Sequence, residues 1–345
     1  MAPLAIIGGG RWARTIAEVL AGSPAASRGI VLYSPRNADG VLRWIGQKGL
    51  GDRLGVSQTM PDLSTEKPYA AIVANEVSDH AKVSMSLLDA GVPTLVEKPM
   101  AIGAEVVEQL QRRARSSGTM LAASHVMLFA RYLETFMSAV EGQGSISALH
   151  ALWEDGAGDT VRGEVKSYDA AVAVFDDVLP HILPVLERLA GHPLKFVSVA
   201  LENGGAQVTI IADAGGLPVT IRLARNAAGR RRSFSAVTAN GPFAVDFSSE
   251  PGMLLPPGLQ GYSGDLLWLS GPRPLGSMLA AFLEGVGAGK LDPRLDVDLA
   301  LASARFADRV RESYQDQQHA WLEASGITES VAHDYALREI SGRSV

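Results

Sequence analysis

A glycine-rich turn near the N-terminus constrains the fold more than any other part of the chain. The apolar segment 4–7 predicts a fully buried strand, and Gly8, Gly10 and Ala13 follow it in the pattern Gly-x-Gly-x-x-Ala. Apolar side chains then recur at helical spacing, at Trp12, Ile16, Val19 and Leu20. Glycine triplets also occur in ordinary turns, but a strand, a glycine turn and a helix in this order predict a dinucleotide-binding unit.

Each position of this pattern has a separate mechanical role. Gly8 permits the tight turn, and Gly10 lets the backbone approach a pyrophosphate closely. Ala13 is small enough for the helix to pack against the strand. The N-terminus of that helix offers free N–H groups and the positive end of its dipole to the phosphates.

The end of the second predicted strand bears on which dinucleotide is bound. At about twenty residues after the turn, an NAD-specific site presents a carboxylate to the ribose 2′-hydroxyl. This chain has Ser34 and Arg36 there instead. A hydroxyl and a guanidinium suit a 2′-phosphate, so we predict a preference for NADP(H) over NAD(H). The alternative is that Arg36 is a solvated loop charge.

Composition narrows the class of protein. At 345 residues the chain is long for one core, so we expect two domains. The net charge of −6 argues against nucleic acid as a partner. The absence of cysteine excludes disulfides, thiolate catalysis and cysteine-bound metals, and we predict no metal site. We find neither a signal peptide nor an apolar run that would span a bilayer, and we therefore expect a cytoplasmic enzyme without a membrane partner.

The order of predicted elements separates the chain into three parts. Strands and helices alternate over 1–123, which predicts a parallel sheet with helices on both faces, a Rossmann domain. Strands follow one another within 196–247, which predicts an α+β domain over 124–318 built on an open, mainly antiparallel sheet. Residues 319–345 are expected to form a helical tail. The fold class is therefore α/β with a second, α+β domain.

Two groups of residues are candidates for chemistry. Glu97, Lys98 and Pro99 follow the fifth predicted strand, at the sheet edge where ligands bind in such folds. A lysine there can donate a proton or polarise a carbonyl, although a lysine after a strand is more often a surface residue.

Asp177 and His181 form the second group. Their spacing of four puts both side chains on one face of a helix, and an imidazole beside a carboxylate is suited to proton transfer. Alternatively, Asp177 caps the helix and His181 lies in the core. Pro180 is tolerable in a first turn, whereas Pro184 is expected to kink or restart the helix.

These motifs, taken in order, resemble the Gfo/Idh/MocA family of NAD(P)-dependent oxidoreductases. The similarity extends from residue 1 to about residue 318 and includes 73–75, 78–80 and 221–246. The resemblance implies that Lys98 orients the reacting oxygen and handles its proton, with His181 as the main acid–base partner. Asp177 would assist His181, and Glu97 would hold Lys98. The implied cofactor-binding residues are Gly8, Gly10, Arg11, Trp12, Ala13, Ser34, Arg36, Ala74, Asn75, His80, Glu97 and Lys98.

The chain departs from the family pattern on the substrate side. Bulky residues over 171–176 replace the usual glycine run, and Pro184 replaces a common acidic residue. Both changes predict a bulkier and less polar substrate pocket. Weaker candidates for that pocket are His125, Trp153, Lys166 and Tyr168. Trp12 is expected to pack under the glycine turn, and the arginines 230–232 are expected to form a solvated turn.

The resemblance implies hydride transfer between a nicotinamide and a carbonyl or hydroxyl carbon of a sugar-like or cyclic metabolite. One alternative is a biosynthetic imine reductase, and another is an NADP-binding sensor without turnover. An open sheet must cover its exposed face, so we also expect a homo-oligomer formed through residues 196–247.

Overall fold

The computed structural model of the chain describes residues 2–156, 160–161, 164–165 and 172–325. These residues form two compact units, one made of the described part of 1–129 with 272–304 and the other of the described part of 130–271 with 305–325. None of the described helices is both long and apolar enough to cross a membrane.

The first unit contains a six-stranded parallel sheet in the order β3-β2-β1-β4-β5-β6, the doubly wound order of a Rossmann fold. Its strands are β1 (Leu4–Ile7), β2 (Ile30–Tyr33), β3 (Leu54–Ser57), β4 (Ala70–Val73), β5 (Thr94–Val96) and β6 (Leu121–Ala123). The connecting helices are α1 (Arg11–Ala21), α2 (Ala38–Lys48), α3 (Val77–Asp89) and α4 (Ala104–Ser117). The central strands are buried on both faces and consist almost entirely of apolar residues, as parallel sheets require.

A later segment of the chain returns to this first unit. Helix α7 (Pro274–Ala288) packs beside α1, and the first turns of α8 (Val297–Ser325) bring Val297 and Leu301 into the apolar core that α3 and α4 share. The predicted division at residues 123 and 318 places this segment in the second domain. The difference arises because α7 and the start of α8 carry apolar faces that this core buries, and sequence order does not reveal which core that is.

The second unit is built on an eight-stranded sheet in the order β10-β11-β12-β7-β13-β14-β15-β16. The strands are β7 (Ile146–Gly156), β10 (Lys195–Glu202), β11 (Gln207–Ala214), β12 (Leu217–Ala227), β13 (Arg231–Thr238), β14 (Gly241–Asp246), β15 (Met253–Leu255) and β16 (Tyr262–Ser263). A separate ladder pairs β8 (Thr160–Val161) with β9 (Glu164–Val165). Within the eight-stranded sheet only β7 and β12 pair in parallel, which confirms the predicted mainly antiparallel sheet.

Helices α5 (Arg131–Glu141) and α6 (Val174–Ala190) pack on this sheet. Helix α6 is one continuous element although it contains Pro180 and Pro184, so the expected restart at Pro184 is wrong. Each proline removes a backbone N–H. Ten residues of α6 are buried, however, and this burial stabilises the helix despite the missing hydrogen bonds.

Candidate functional site

The carboxyl ends of the first unit's strands lie side by side. Backbone hydrogen bonds continue the ladder one residue beyond the strands, from Gly8 N–H to the Tyr33 carbonyl, from Glu97 N–H to Val73 and from Ser124 N–H to Val96. The segments that follow β1, β4, β5 and β6 therefore emerge at one edge. This is the edge at which open α/β sheets bind ligands.

The glycine turn has the geometry that the sequence predicts. Gly8 has φ 141°, and a Cβ there would lie 2.5 Å from the Ala74 carbonyl oxygen. Gly9 has no room for a side chain either, because a Cβ would lie 2.0 Å from the Ser34 hydroxyl. By contrast, a Cβ on Gly10 meets no atom within 4 Å. Only Gly10 faces open space, at the N-terminus of α1, and there a pyrophosphate can approach the backbone.

Two further observations fit a dinucleotide at this edge. No side chain caps the N-terminus of α1, which leaves its N–H groups available to phosphate oxygens. The Asn75 side-chain oxygen, directly after β4, is buried and accepts no hydrogen bond from any described residue. A buried polar atom of this kind usually has a partner, and a ligand hydroxyl or amide meets that need. Arg11 and Ala13 belong to the same first turn of α1, and Ala13 is fully buried.

The two residues predicted to meet a 2′-phosphate differ in exposure. Ser34 is buried beneath Gly9, so its side chain supports the turn and is not presented at the surface; this corrects the predicted direct contact. The Arg36 side chain is 72% exposed, and its guanidinium forms ion pairs with Glu76 at 2.5 Å and Asp79 at 3.5 Å. These pairs connect the loop after β2 with the start of α3.

Glu97 is the central polar group of this edge. The residue is 4% exposed, and its carboxylate accepts hydrogen bonds from the Ser124 hydroxyl at 2.9 Å and from the Trp12 side chain. Burial raises the pKa of the Glu97 carboxyl, while these bonds and the charge of Lys98 oppose the shift. Trp12 is 41% exposed and does not pack under the glycine turn as predicted; it instead joins α1 to Glu97.

His80 contacts the Lys98–Pro99 segment through the Pro99 carbonyl. The peptide bond between Lys98 and Pro99 is cis, and the Lys98 side chain is half-buried. One ring nitrogen of His80 lies 3.0 Å from the Pro99 carbonyl oxygen and the other 3.2 Å from that of Asn75. His80 is 1% exposed, and burial lowers the pKa of its imidazole. It therefore connects the loops after β4 and β5 through both ring nitrogens, and its contact with the cofactor stays a prediction.

The remaining candidate of the first unit, His125, directly follows Ser124 and is buried, including both ring nitrogens. The structural role that the sequence left open for His125 thus agrees with its environment. Its side chain belongs to the first unit.

In the second unit, α6 carries Asp177 and His181 on its only partly buried face, as the spacing predicts. The helix begins after Ala173, so Asp177 is not its capping residue. The Arg225 guanidinium, which is almost fully buried, donates to the carbonyls of Val172 and Ala173 and lies 3.6 Å from the Asp177 carboxylate. Arg225 of β12 thus anchors the start of the helix that presents His181.

Trp153 is buried, so its side chain does not form an exposed wall of a substrate pocket as predicted. It is 5% exposed, and its indole stacks on the His181 ring at a centroid distance of 5.3 Å and an interplanar angle of 9°. The two other weak candidates, Lys166 and Tyr168, lie outside the described residues.

The bulky segment before His181 is used in the core. Phe175 is fully buried against Tyr314, and Asp176 pairs with Arg311 of α8 at 2.5 Å. Burial raises the pKa of Asp176 to about 6, although Arg311 opposes the shift. The prediction that this segment makes a substrate pocket bulkier is therefore wrong for Phe175 and Asp176, because their side chains point into the second unit.

We predict that alanine at Gly8 and at Gly10 separates folding from binding. Gly8→Ala should lower the free energy of unfolding by about 3 kcal/mol, since it forces a left-handed residue against the Ala74 carbonyl. Gly10→Ala should leave Tm unchanged and weaken dinucleotide binding by about tenfold or more, because its methyl group enters the space a pyrophosphate needs. Thermal denaturation and calorimetric titration measure the two effects. Full affinity in Gly10→Ala would contradict the assignment of this turn.

Comparison with known proteins supports this interpretation of the first unit. Residues 3–125 match the family model described as GFO_IDH_MocA, an oxidoreductase family with an NAD-binding Rossmann fold. A search of curated proteins gives no significant match.

Solved structures extend the likeness to the fold of nearly the whole chain. UDP-N-acetylglucosamine 3-dehydrogenase from Acidithiobacillus ferrooxidans has 20% sequence identity and a TM-score of 0.72, and the match covers 92% of this chain and 99% of that one. A 3-ketoreductase from Actinomadura kijaniata, solved with NADP and TDP-benzene, has 17% identity and a TM-score of 0.75 over 90% of this chain and 97% of its own. Residues 3–125 are therefore similar to the Gfo/Idh/MocA family of oxidoreductases, and they adopt the Rossmann fold that the family model describes.

Proposed function

We propose that the protein is an NADP-dependent oxidoreductase that transfers a hydride between nicotinamide and a carbonyl or hydroxyl carbon of a sugar-like or cyclic metabolite. The observation that carries the proposal is the common edge of the first sheet. There an open glycine turn lies beside a lysine whose loop is fixed by the buried Glu97 and His80. The first unit binds the nucleotide, and the second carries the substrate-side residues. The similar solved structures include a sugar-nucleotide 3-dehydrogenase and a 3-ketoreductase, which supports a sugar-like substrate.

Each proposed residue has a defined task. When bound, the nicotinamide supplies or accepts the hydride. Reduction of a carbonyl also requires one proton at the oxygen, and oxidation of the alcohol releases one. We assign the handling of that proton to Lys98 and His181. Asp177, one turn before His181 on the same helix, pairs with Arg225 and is assigned a supporting role beside the imidazole.

The alternatives differ in what they demand of these residues. An imine reductase needs a proton donor but not a lysine and a histidine together, so the presence of both Lys98 and His181 favours oxygen chemistry. A sensor without turnover needs no proton-transfer group at all.

Replacing Lys98 tests catalysis against sensing. Lys98→Met should leave the NADPH dissociation constant unchanged and lower kcat by about 100-fold or more, because general acid–base groups contribute factors of this size. Turnover is measured on a panel of sugars, cyclitols and nucleotide-linked sugars, with cyclic imines as a separate arm. Lys82→Met, at an exposed position of α3, is the matched control and should behave as wild type.

The outcomes distinguish the three readings. Turnover confined to imines supports the imine reductase. Tight NADPH binding with no turnover on any panel supports the sensor. A Lys98→Met enzyme with full kcat would remove the lysine from the mechanism.

The preference for NADP(H) rests on Arg36. Its ion pairs with Glu76 and Asp79 are exposed and therefore weak. A 2′-phosphate carries more charge than either carboxylate and offers three acceptor oxygens, so it can replace them on the guanidinium.

We predict that wild-type protein binds NADPH about tenfold or more tightly than NADH, as expected for a charge-assisted phosphate contact. Arg36→Gln should lose this difference through weaker NADPH binding alone. Glu76→Gln should bind NADPH more tightly, because it removes a competitor for Arg36. Calorimetric titrations with both dinucleotides measure these constants, and a preference of the wild type for NADH would refute the assignment.

A homo-oligomer through the open sheet is also part of the proposal. One row of paired residues across the second sheet is entirely buried: Val199, Ile210, Ile221, Ala151, Phe234, Val245 and Leu254. The neighbouring row faces the other way and is nowhere buried: Ser198, Ile211, Thr220, His150, Ser235, Ala244 and Leu255. Small polar and apolar residues on a flat face suit association with a second copy.

Light scattering with size-exclusion chromatography should give a mass at least twice the 36.4 kDa of one chain. Thr220→Arg places a charge at the centre of the open face and should produce a monomer, because it also sets like charges against one another across the interface. Thr135→Arg, at an exposed position of α5 away from this face, should not change the mass. A monomeric wild type would refute the proposal.

A further inference from the structure

The imidazole of His181 is held by ring stacking. Helix α6 supplies the backbone position of His181, but a histidine side chain can still rotate about two torsions. The indole of Trp153, on β7, lies against the ring with only 9° between the two planes. Because Trp153 is 5% exposed and also contacts Phe247 edge-on at 6.0 Å, the indole is itself fixed.

Arg232 of β13 fixes the indole further. Its guanidinium carbon lies 3.9 Å from the centre of the Trp153 ring, which is cation–π geometry. The same guanidinium pairs with Asp155 at 2.5 Å, and both side chains are largely or fully buried. The predicted solvated turn of arginines is therefore wrong for this residue. The neighbouring Arg231 also forms an ion pair, with the buried Glu154.

Burying a cation costs free energy unless an anion or hydrogen bonds compensate its charge. Here Asp155 compensates the charge, and the indole becomes part of a continuous set of contacts from Asp155 through Arg232 and Trp153 to His181. All four residues belong to the second unit. None of the motifs that indicate the function contains Trp153, Arg232 or Asp155.

We propose that Trp153 and Arg232 are positioning residues that set the ring plane of His181 for proton transfer. Trp153 acts by stacking, and Arg232 acts through Trp153. This inference deepens the proposed function and depends on it, since it gives His181 an acid–base role. It also replaces the predicted role of Trp153 as a lining of the substrate pocket.

The first test detects the stacking of His181 on Trp153 by NMR and does not depend on turnover. The chain contains seven histidines, whose ring protons can be resolved by NMR on protein labelled in histidine, and His181→Ala identifies the His181 signal. A ring stacked on an indole is shifted upfield by the ring current. We expect this shift in the wild type, its loss in Trp153→Leu and its retention in Phe136→Leu, which removes a buried aromatic of the same unit whose ring contacts Phe243.

The second test measures the effect of positioning on kcat and KM. Trp153→Leu should lower kcat by about 10- to 100-fold with little change in KM, as expected for a misplaced catalytic group. Trp153→Phe should recover part of the loss, because a smaller ring still stacks. Arg232→Gln should show a smaller decrease in kcat. Phe136→Leu, the matched control, should keep kcat close to wild type, and circular dichroism checks that each variant is folded.

The outcomes separate this inference from the proposed function. An unshifted His181 signal in the wild type overturns the stacking, whatever the activity. A shifted signal together with equal kcat values in Trp153→Leu and Phe136→Leu overturns the positioning role. A wild type without turnover on any substrate refutes the proposed function and the positioning role with it, while the NMR result would still establish the stacking.

Discussion

Burying a carboxylate costs free energy, and the first unit compensates that cost at Glu97 with hydrogen bonds. The carboxylate receives hydrogen bonds from a serine after β6 and an indole at the start of α1, and it lies next to the Lys98 charge. Because each partner comes from a different segment, the group is satisfied only when all these segments are in place. The loop that carries Lys98 is thus connected to α1 and to the segment after β6 through one buried carboxyl group.

The same principle organises the second unit around cations. Arg225 is buried and holds the start of α6 through two backbone carbonyls and Asp177. Arg311 of α8 holds the same start of α6 through its ion pair with Asp176. A continuous helix that contains two prolines has fewer backbone hydrogen bonds than an ordinary helix of the same length. These buried pairs and the extensive burial of α6 keep His181 at a defined place on a helix that its own hydrogen bonds would support less well.

The amino-acid sequence predicts the structure where local chemistry decides it. The glycine turn, the six parallel strands and the helical placement of Asp177 and His181 follow from periodicity and from residue types that tolerate one geometry. It fails where the outcome depends on long-range packing. Nothing local to residues 272–304 indicates that they pack with the first unit. Ser34 and His80 are polar residues that tertiary contacts bury.

Some of the missed residues had a signal in the sequence. Ile221, Leu223 and Arg225 alternate along β12 and must share a face, so an arginine on an otherwise apolar face predicts a buried cation with dedicated partners. The pairing of Arg232 with Asp155 had no such signal, because it depends on the register between β7 and β13.

The departures from the family pattern acquire a physical meaning in this arrangement. Glycines before the aspartate would leave the start of α6 without side chains to bury, whereas Phe175 and Asp176 bind it to Tyr314 and Arg311 of α8. The bulk of Phe175 and Asp176, which suggested a changed substrate pocket, is therefore explained by the anchoring of α6. Under the proposed acid–base role of His181, substrate selection falls to the partly exposed face of α6 that carries this residue. The residue there that differs in kind from a sugar-binding side chain is Pro180, which offers no hydrogen bond from its side chain or backbone nitrogen.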